Sequence, residues 1–270
     1  MNNEKSSDSV AARPVNSSKF DFQVFGALLL ASLIASLATI PYASALLYQD
    51  STTPIPEMLL GGLFNFVLLT LPLASLGLWL GPKVGLGVLG IEAIQKKVPQ
   101  NYRRLQSSIL PAIILGTVGG IFVRVVSVLS EPYLPEELAQ IKPPGLVASL
   151  LGSFGAAINE EIWLRLGIMT CIVCLATVLI NRPKPGKAII WGANLLAAFG
   201  FGMLHLPLAA IFAQGLPLLV VILVLLLNGF VGVIFGWLYW RHGLLAAIIA
   251  HFSTNIIIHV MPALFSTTAN

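Results

Sequence analysis

Seven long apolar runs constrain this chain more than any other feature. They lie at residues 22–48, 59–80, 108–129, 145–180, 189–212, 216–240 and 244–265. Each reaches or exceeds the roughly 20 residues with which a helix crosses about 30 Å of hydrocarbon. None alternates in polarity over about ten residues, as strands of a membrane barrel do. Lipid offers the backbone no hydrogen bonds, so each span must satisfy its own N–H and C=O groups. The expected fold is therefore all-α, a polytopic helical membrane protein with about seven transmembrane helices. Charged residues make up only 10% of the 270, against about 25% in soluble domains. The run 145–180 is too long for one straight span at about 1.5 Å per residue. It is expected to tilt, to break, or to begin with an interfacial piece, with Ser153, Gly155 and Asn159 marking the place.

The charges between the runs sort by side. With the amino terminus taken as cytoplasmic, the inside segments hold Lys5, Arg13, Lys19, Lys83, Lys96, Lys97, Arg103, Arg104, Arg182, Lys184, Lys187 and Arg241. The outside loops hold one basic residue, Lys142, together with Asp50, Glu57, Glu131, Glu136 and Glu137. This is a positive-inside pattern. The net charge of +4 is thus topological, and nucleic acid is not an expected partner. The lipid bilayer is.

Three regions follow. Residues 1–20 read as a polar, disordered cytoplasmic tail. Residues 21–144 hold the first three spans and a connection whose part 84–97 suits a helix extension or a short amphipathic helix at the headgroups. Residues 145–265 form the remaining core. The first run is read as a span rather than a cleaved signal peptide, because its leader and apolar stretch are long, although Ala43-Ser44-Ala45 resembles a cleavage site. Cys171 and Cys174 read as packing residues, since zinc ribbons need two such pairs. Gly116/Gly120 and Gly232/Gly236 allow close helix approach. Trp79, Trp191, Tyr239 and Trp240 are placed as interfacial anchors.

Few ionisable residues remain at membrane depth: Arg124, Glu160, Glu161, Arg165, His205, His251 and His259. Each costs about 2.5–3.5 kcal/mol on insertion scales, and such residues usually mark function. Glu161 and Arg165 stand four apart, the spacing at which side chains on one helix face meet. Glu160 is rotated by about 100° from Glu161, so one carboxylate can be structural while its neighbour acts. Phe201 shares a face with His205, and His251 shares one with Asn255. A desolvated carboxylate can deprotonate water, while imidazoles and an amide can donate to an oxyanion. Glu160, His205 and His251 could equally hold one divalent metal such as zinc with an open water position. Arg124, His259 and Asn255, each alone, are more often buried partners or interhelical glue.

The set Glu160-Glu161-x-x-x-Arg165, Phe201-x-x-x-His205 and His251-x-x-x-Asn255 resembles the three motifs of the CPBP family. That family comprises type II CAAX prenyl proteases and bacteriocin-processing (Abi) membrane proteins, and the resemblance lies in residues 145–262. It implies an intramembrane endopeptidase acting on a membrane-associated peptide or protein. By resemblance Glu160 activates water with help from His205, His251 and Asn255 stabilise the oxyanion, and Glu161 with Arg165 braces the site. The family's motif runs from the arginine straight to a glycine, whereas here Leu166 precedes Gly167. A non-catalytic scaffold or immunity protein, and a proton-coupled transporter, are the competing classes.

One tension stands within the sequence. Counted by helical rise from the inside connections, His251 lies about 12 Å deep, His205 about 21 Å and Glu160 about 30 Å. Converging groups should share one level. A cytoplasmic opening is expected by analogy with the family.

Overall fold

A computed structural model describes residues 20–48, 52, 54–96 and 99–267. The tail expected over 1–20 falls outside these except for Phe20. The described residues are helical, in the order α1 (Phe22–Leu47), α2 (Ile55–Val84), α3 (Leu89–Lys96), α4 (Pro99–Ser130), α5 (Glu136–Ala139), α6 (Leu146–Leu179), α7 (Lys187–Phe212), α8 (Leu218–His242) and α9 (Leu244–Phe265). Seven of them are long and apolar enough to cross a membrane. The all-α polytopic architecture read from the sequence is the one observed.

α7 packs along α8, α1 along α6, and α4 along α9. Large apolar side chains such as Leu60, Phe64, Leu110 and Leu204 point outward from the bundle, as suits a lipid-facing surface. The expected connection helix is present as α3.

α6 does not break at Ser153, Gly155 or Asn159. Its small residues instead form a docking face for α1, where a Cβ on Gly155 would collide with the Ala35 carbonyl. The helix adapts further along. A π-helical stretch, Ile162–Met169, follows directly after Glu161. There the Arg165 carbonyl accepts the Thr170 hydroxyl at 3.1 Å. Further π stretches lie at Phe66–Thr70 in α2 and at Ile256–Val260 in α9, immediately after Asn255. Such widened turns gather at functional sites.

Two readings change in three dimensions. Tyr239 is no interfacial anchor: it is 1% exposed, and its hydroxyl pairs with that of Thr170 at 2.7 Å. The depth tension eases for His251, because α9 starts on a buried residue. Leu244 is fully buried, and its N–H donates to the Gly87 carbonyl at 3.1 Å in the turn before α3. Counting depth from residue 243 therefore began too deep inside the protein.

Candidate active site

Four ionisable side chains form a chain across α6 and α9. Arg165 and Glu161 are both fully buried, with the Arg165 Nε 3.3 Å from Glu161 Oε2. Glu161 Oε1 accepts from His251 Nδ1 at 2.9 Å. On its other side, His251 Nε2 lies 3.7 Å from Glu160 Oε2, and the Glu160 side chain is 23% exposed. The four-residue spacing thus makes the expected pair, and Glu160 points elsewhere, as helix rotation requires.

Arg165 is answered by more than one acid. Its Nη2 donates to the Gly232 carbonyl of α8 at 3.1 Å. Its guanidinium carbon lies 5.3 Å from the Phe201 ring centroid and 5.7 Å from that of Phe235. Both rings are within cation–π range. Phe235 also stacks on His251 at 4.7 Å, and Phe201 meets His205 edge-on at 4.8 Å. Gly232 and Phe235 were not singled out for the site in the sequence: a backbone carbonyl and one more phenylalanine carry no polar signal in an apolar helix.

The histidines have defined orientations. His205 Nδ1 donates to the Phe201 carbonyl at 2.8 Å, which leaves Nε2 as its free atom. Asn255 Nδ2 reaches the Ser153 carbonyl at a long 3.4 Å. His205, His251 and Asn255 line a cavity of about 340 Å³ together with Phe201, Phe235 and Leu227. That cavity runs to Leu134, Leu138 and Val220, at the end of the bundle that carries Glu131, Glu136 and Glu137. If the basic end faces the cytoplasm, this direction is opposite to the opening expected by analogy.

Glu160 lines a different cavity, of about 270 Å³, with Ser36, Thr39, Asn65, Asn159 and Trp163. Beside it, Asn159 Oδ1 accepts from Ser32 at 2.6 Å, and Trp163 Nε1 donates to Thr70 at 2.8 Å. His259 pairs with the Tyr42 hydroxyl at 3.1 Å, and Arg124 is exposed, lining a pocket near His259.

A zinc site needs three protein ligands around one point. Among the described residues no three His, Cys, Asp or Glu side chains converge in that way. Glu160, His205 and His251 do not fit such a ligand set in this arrangement. Cys171 and Cys174 are free thiols.

Residues 142–257 match the family model described as Type II CAAX prenyl endopeptidase Rce1-like. Comparison with curated proteins and with solved structures finds no match. The matched segment covers less than half of the chain, yet it holds all three motifs. Over residues 142–257, the chain is similar to the Rce1-like type II CAAX prenyl endopeptidase family.

Proposed function

We propose that this protein is an intramembrane endopeptidase that cleaves a membrane-associated peptide or protein with water activated by Glu160. The observation that carries this reading is the ion chain Arg165–Glu161–His251–Glu160. Three of its members are locked by one another, and the fourth ends free beside an imidazole. Glu161 is engaged by Arg165 and His251, so Glu160 is the carboxylate left to move a proton.

In this scheme the scissile carbonyl enters the cavity lined by His205, His251 and Asn255. Glu160 takes a proton from water while the oxygen attacks the carbonyl carbon, and His205 Nε2 accepts the water's other hydrogen bond. Asn255 Nδ2 donates to the oxyanion, as does His251 Nε2 when it carries a proton. The proton held by Glu160 passes to the leaving nitrogen as the C–N bond breaks. No step passes through a metal. The apolar walls favour an apolar peptide segment, and the basic end of the bundle is assigned to the cytoplasm.

The test compares peptides released from native membranes carrying the natural chain or Glu160→Ala. The natural chain should release peptides that the variant does not, with equal insertion of both. His205→Ala should lose the same products. Cleavage surviving both substitutions refutes the assignment. A chelator should leave the natural rate within about twofold; restoration of a lost rate by added zinc would reverse the metal-free reading.

A further inference from the structure

Glu160 and His251 stand 3.7 Å apart, yet they line two separate cavities. The larger, with His251, His205 and Asn255, is walled mainly by Leu, Val, Ile and Phe. The smaller, between α1, α2 and α6, is of mixed lining: it places Ser36, Thr39, Asn65 and Asn159 near Glu160, beside apolar residues such as Ile40 and Met58. A peptide lying across the first would close that side to solvent at the moment hydrolysis needs a water molecule. We propose that the hydrolytic water reaches Glu160 through the smaller cavity, along its polar residues, so that substrate and water arrive from opposite sides of the Glu160–His251 junction. This inference rests on the peptidase reading above.

Two unpaired polar groups support a wet cavity. Asn65 lies about 15 Å along α2 from its first residue, near the middle of a bilayer, and its amide has no hydrogen-bond partner among the described residues. The Glu160 carboxylate likewise has no hydrogen bond there, only the 3.7 Å approach of His251. An amide or carboxylate left bare in hydrocarbon costs several kcal/mol. Water filling the cavity removes that cost for both. Space is sufficient: about 270 Å³ exceeds the roughly 30 Å³ that one water occupies in the liquid. Ser36 and Thr39 spend their hydroxyl protons on the carbonyls of Ser32 and Ser36, at 2.9 and 2.7 Å. Thr39 is thereby left with acceptor oxygen for water. Ser36 also accepts from Asn159 Nδ2 at 3.1 Å, so on this view Thr39 and Asn65 are the positioning residues for water, acting through Glu160.

The experiment has two readouts. In a chain with Cys171→Ala and Cys174→Ala, single cysteines replace Thr39 or Leu37, and the charged reagent MTSET is applied. Leu37 lies half a turn away at nearly the same depth and is 50% exposed on the outer surface of the bundle. Thr39→Cys should react at least tenfold faster than Leu37→Cys; equal rates overturn the hydrated route. Gly62 lines the same cavity, and a Cβ there meets nothing within 4 Å, so Gly62→Leu can fill the space without displacing a helix. It should slow labelling of Thr39→Cys at least fivefold. In the natural chain it should lower kcat at least tenfold, with KM within twofold, for the peptide whose release Glu160→Ala abolishes. Gly62→Ala should change neither. Shielding of Thr39→Cys with an unchanged kcat overturns the route and leaves the peptidase reading standing. Fast, shieldable labelling with no Glu160-dependent release upholds the hydrated route to Glu160 and removes the peptidase.

Discussion

An arginine sealed inside an apolar bundle needs compensating partners, and Arg165 is the largest of the fully buried side chains, with Nη2 its hydrogen-bonded nitrogen. One carboxylate, one carbonyl and two aromatic rings surround it. Substituting Arg165→Met should cost about 3–5 kcal/mol, because Glu161 is left as an uncompensated buried charge; unfolding in detergent measures it. Glu160→Gln is a different experiment. Its side chain is partly exposed and holds no hydrogen bond among the described residues, so stability should stay within about 0.5 kcal/mol. Peptide release should nevertheless fall by about 10²–10⁴, the usual worth of a general base. Loss of stability without loss of rate in Glu160→Gln would exchange the roles of the two acids. The pair Glu161–Arg165 was legible in the sequence because i,i+4 geometry is local. The bond from Glu161 to His251 was not, since it joins residues on helices whose contact no spacing encodes.

Among the elements, small residues decide how close helices come. Gly116 of α4 faces the Ala250 carbonyl of α9, and Gly120 faces Thr254. This approach holds α9 against α4, where the Thr254 hydroxyl donates to the Gly116 carbonyl at 2.8 Å, one residue from Asn255. Gly116→Leu should therefore push the helix bearing His251 outward, at a cost of about 1–3 kcal/mol or more. Gly192→Leu, whose Cβ meets nothing within 4 Å, should be nearly neutral. Thermal unfolding of the two variants checks the contrast, and equal Tm shifts would refute it. The motif G-x-x-x-G was readable as a packing surface; which helix it packs against was not. The π stretches after Glu161 and Asn255 also escaped the sequence, because their apolar residues suit an α-helix equally well.

For the whole molecule, the alternation of spans puts Lys83, Arg103, Arg104, Arg182, Lys184, Lys187 and Arg241 at one end and Glu57, Glu131, Glu136 and Glu137 at the other. The orientation proposed from this asymmetry predicts that Glu131→Cys reacts with an impermeant maleimide in intact cells. Arg182→Cys should react only after the membrane is opened. The reverse pattern would invert the molecule and carry the apolar cavity to the cytoplasmic face, because its shallow end is formed by Leu134 and Leu138. Sidedness was half legible. Charge along the chain proposes which end is which, a reading the labelling experiment tests, but says nothing of toward which end a cavity opens.

Hydrophobic length and charge bias, both sums over local sequence, were enough to determine a seven-span helical bundle, and the likeness to a peptidase family rested on the motifs around Glu160, His205 and His251. They also picked out every member of the ion chain, because a charge in lipid is costly enough to stand out without any structure. Only the tertiary fold decided that α9 begins beneath α3, which brings His251 level with Glu160. Helix rotation already set the two acids on different faces; the fold placed Glu161 in the core and Glu160 on a cavity beside His251. Those outcomes depend on helix contacts made at close range between distant residues, and neither periodicity nor composition carries that information.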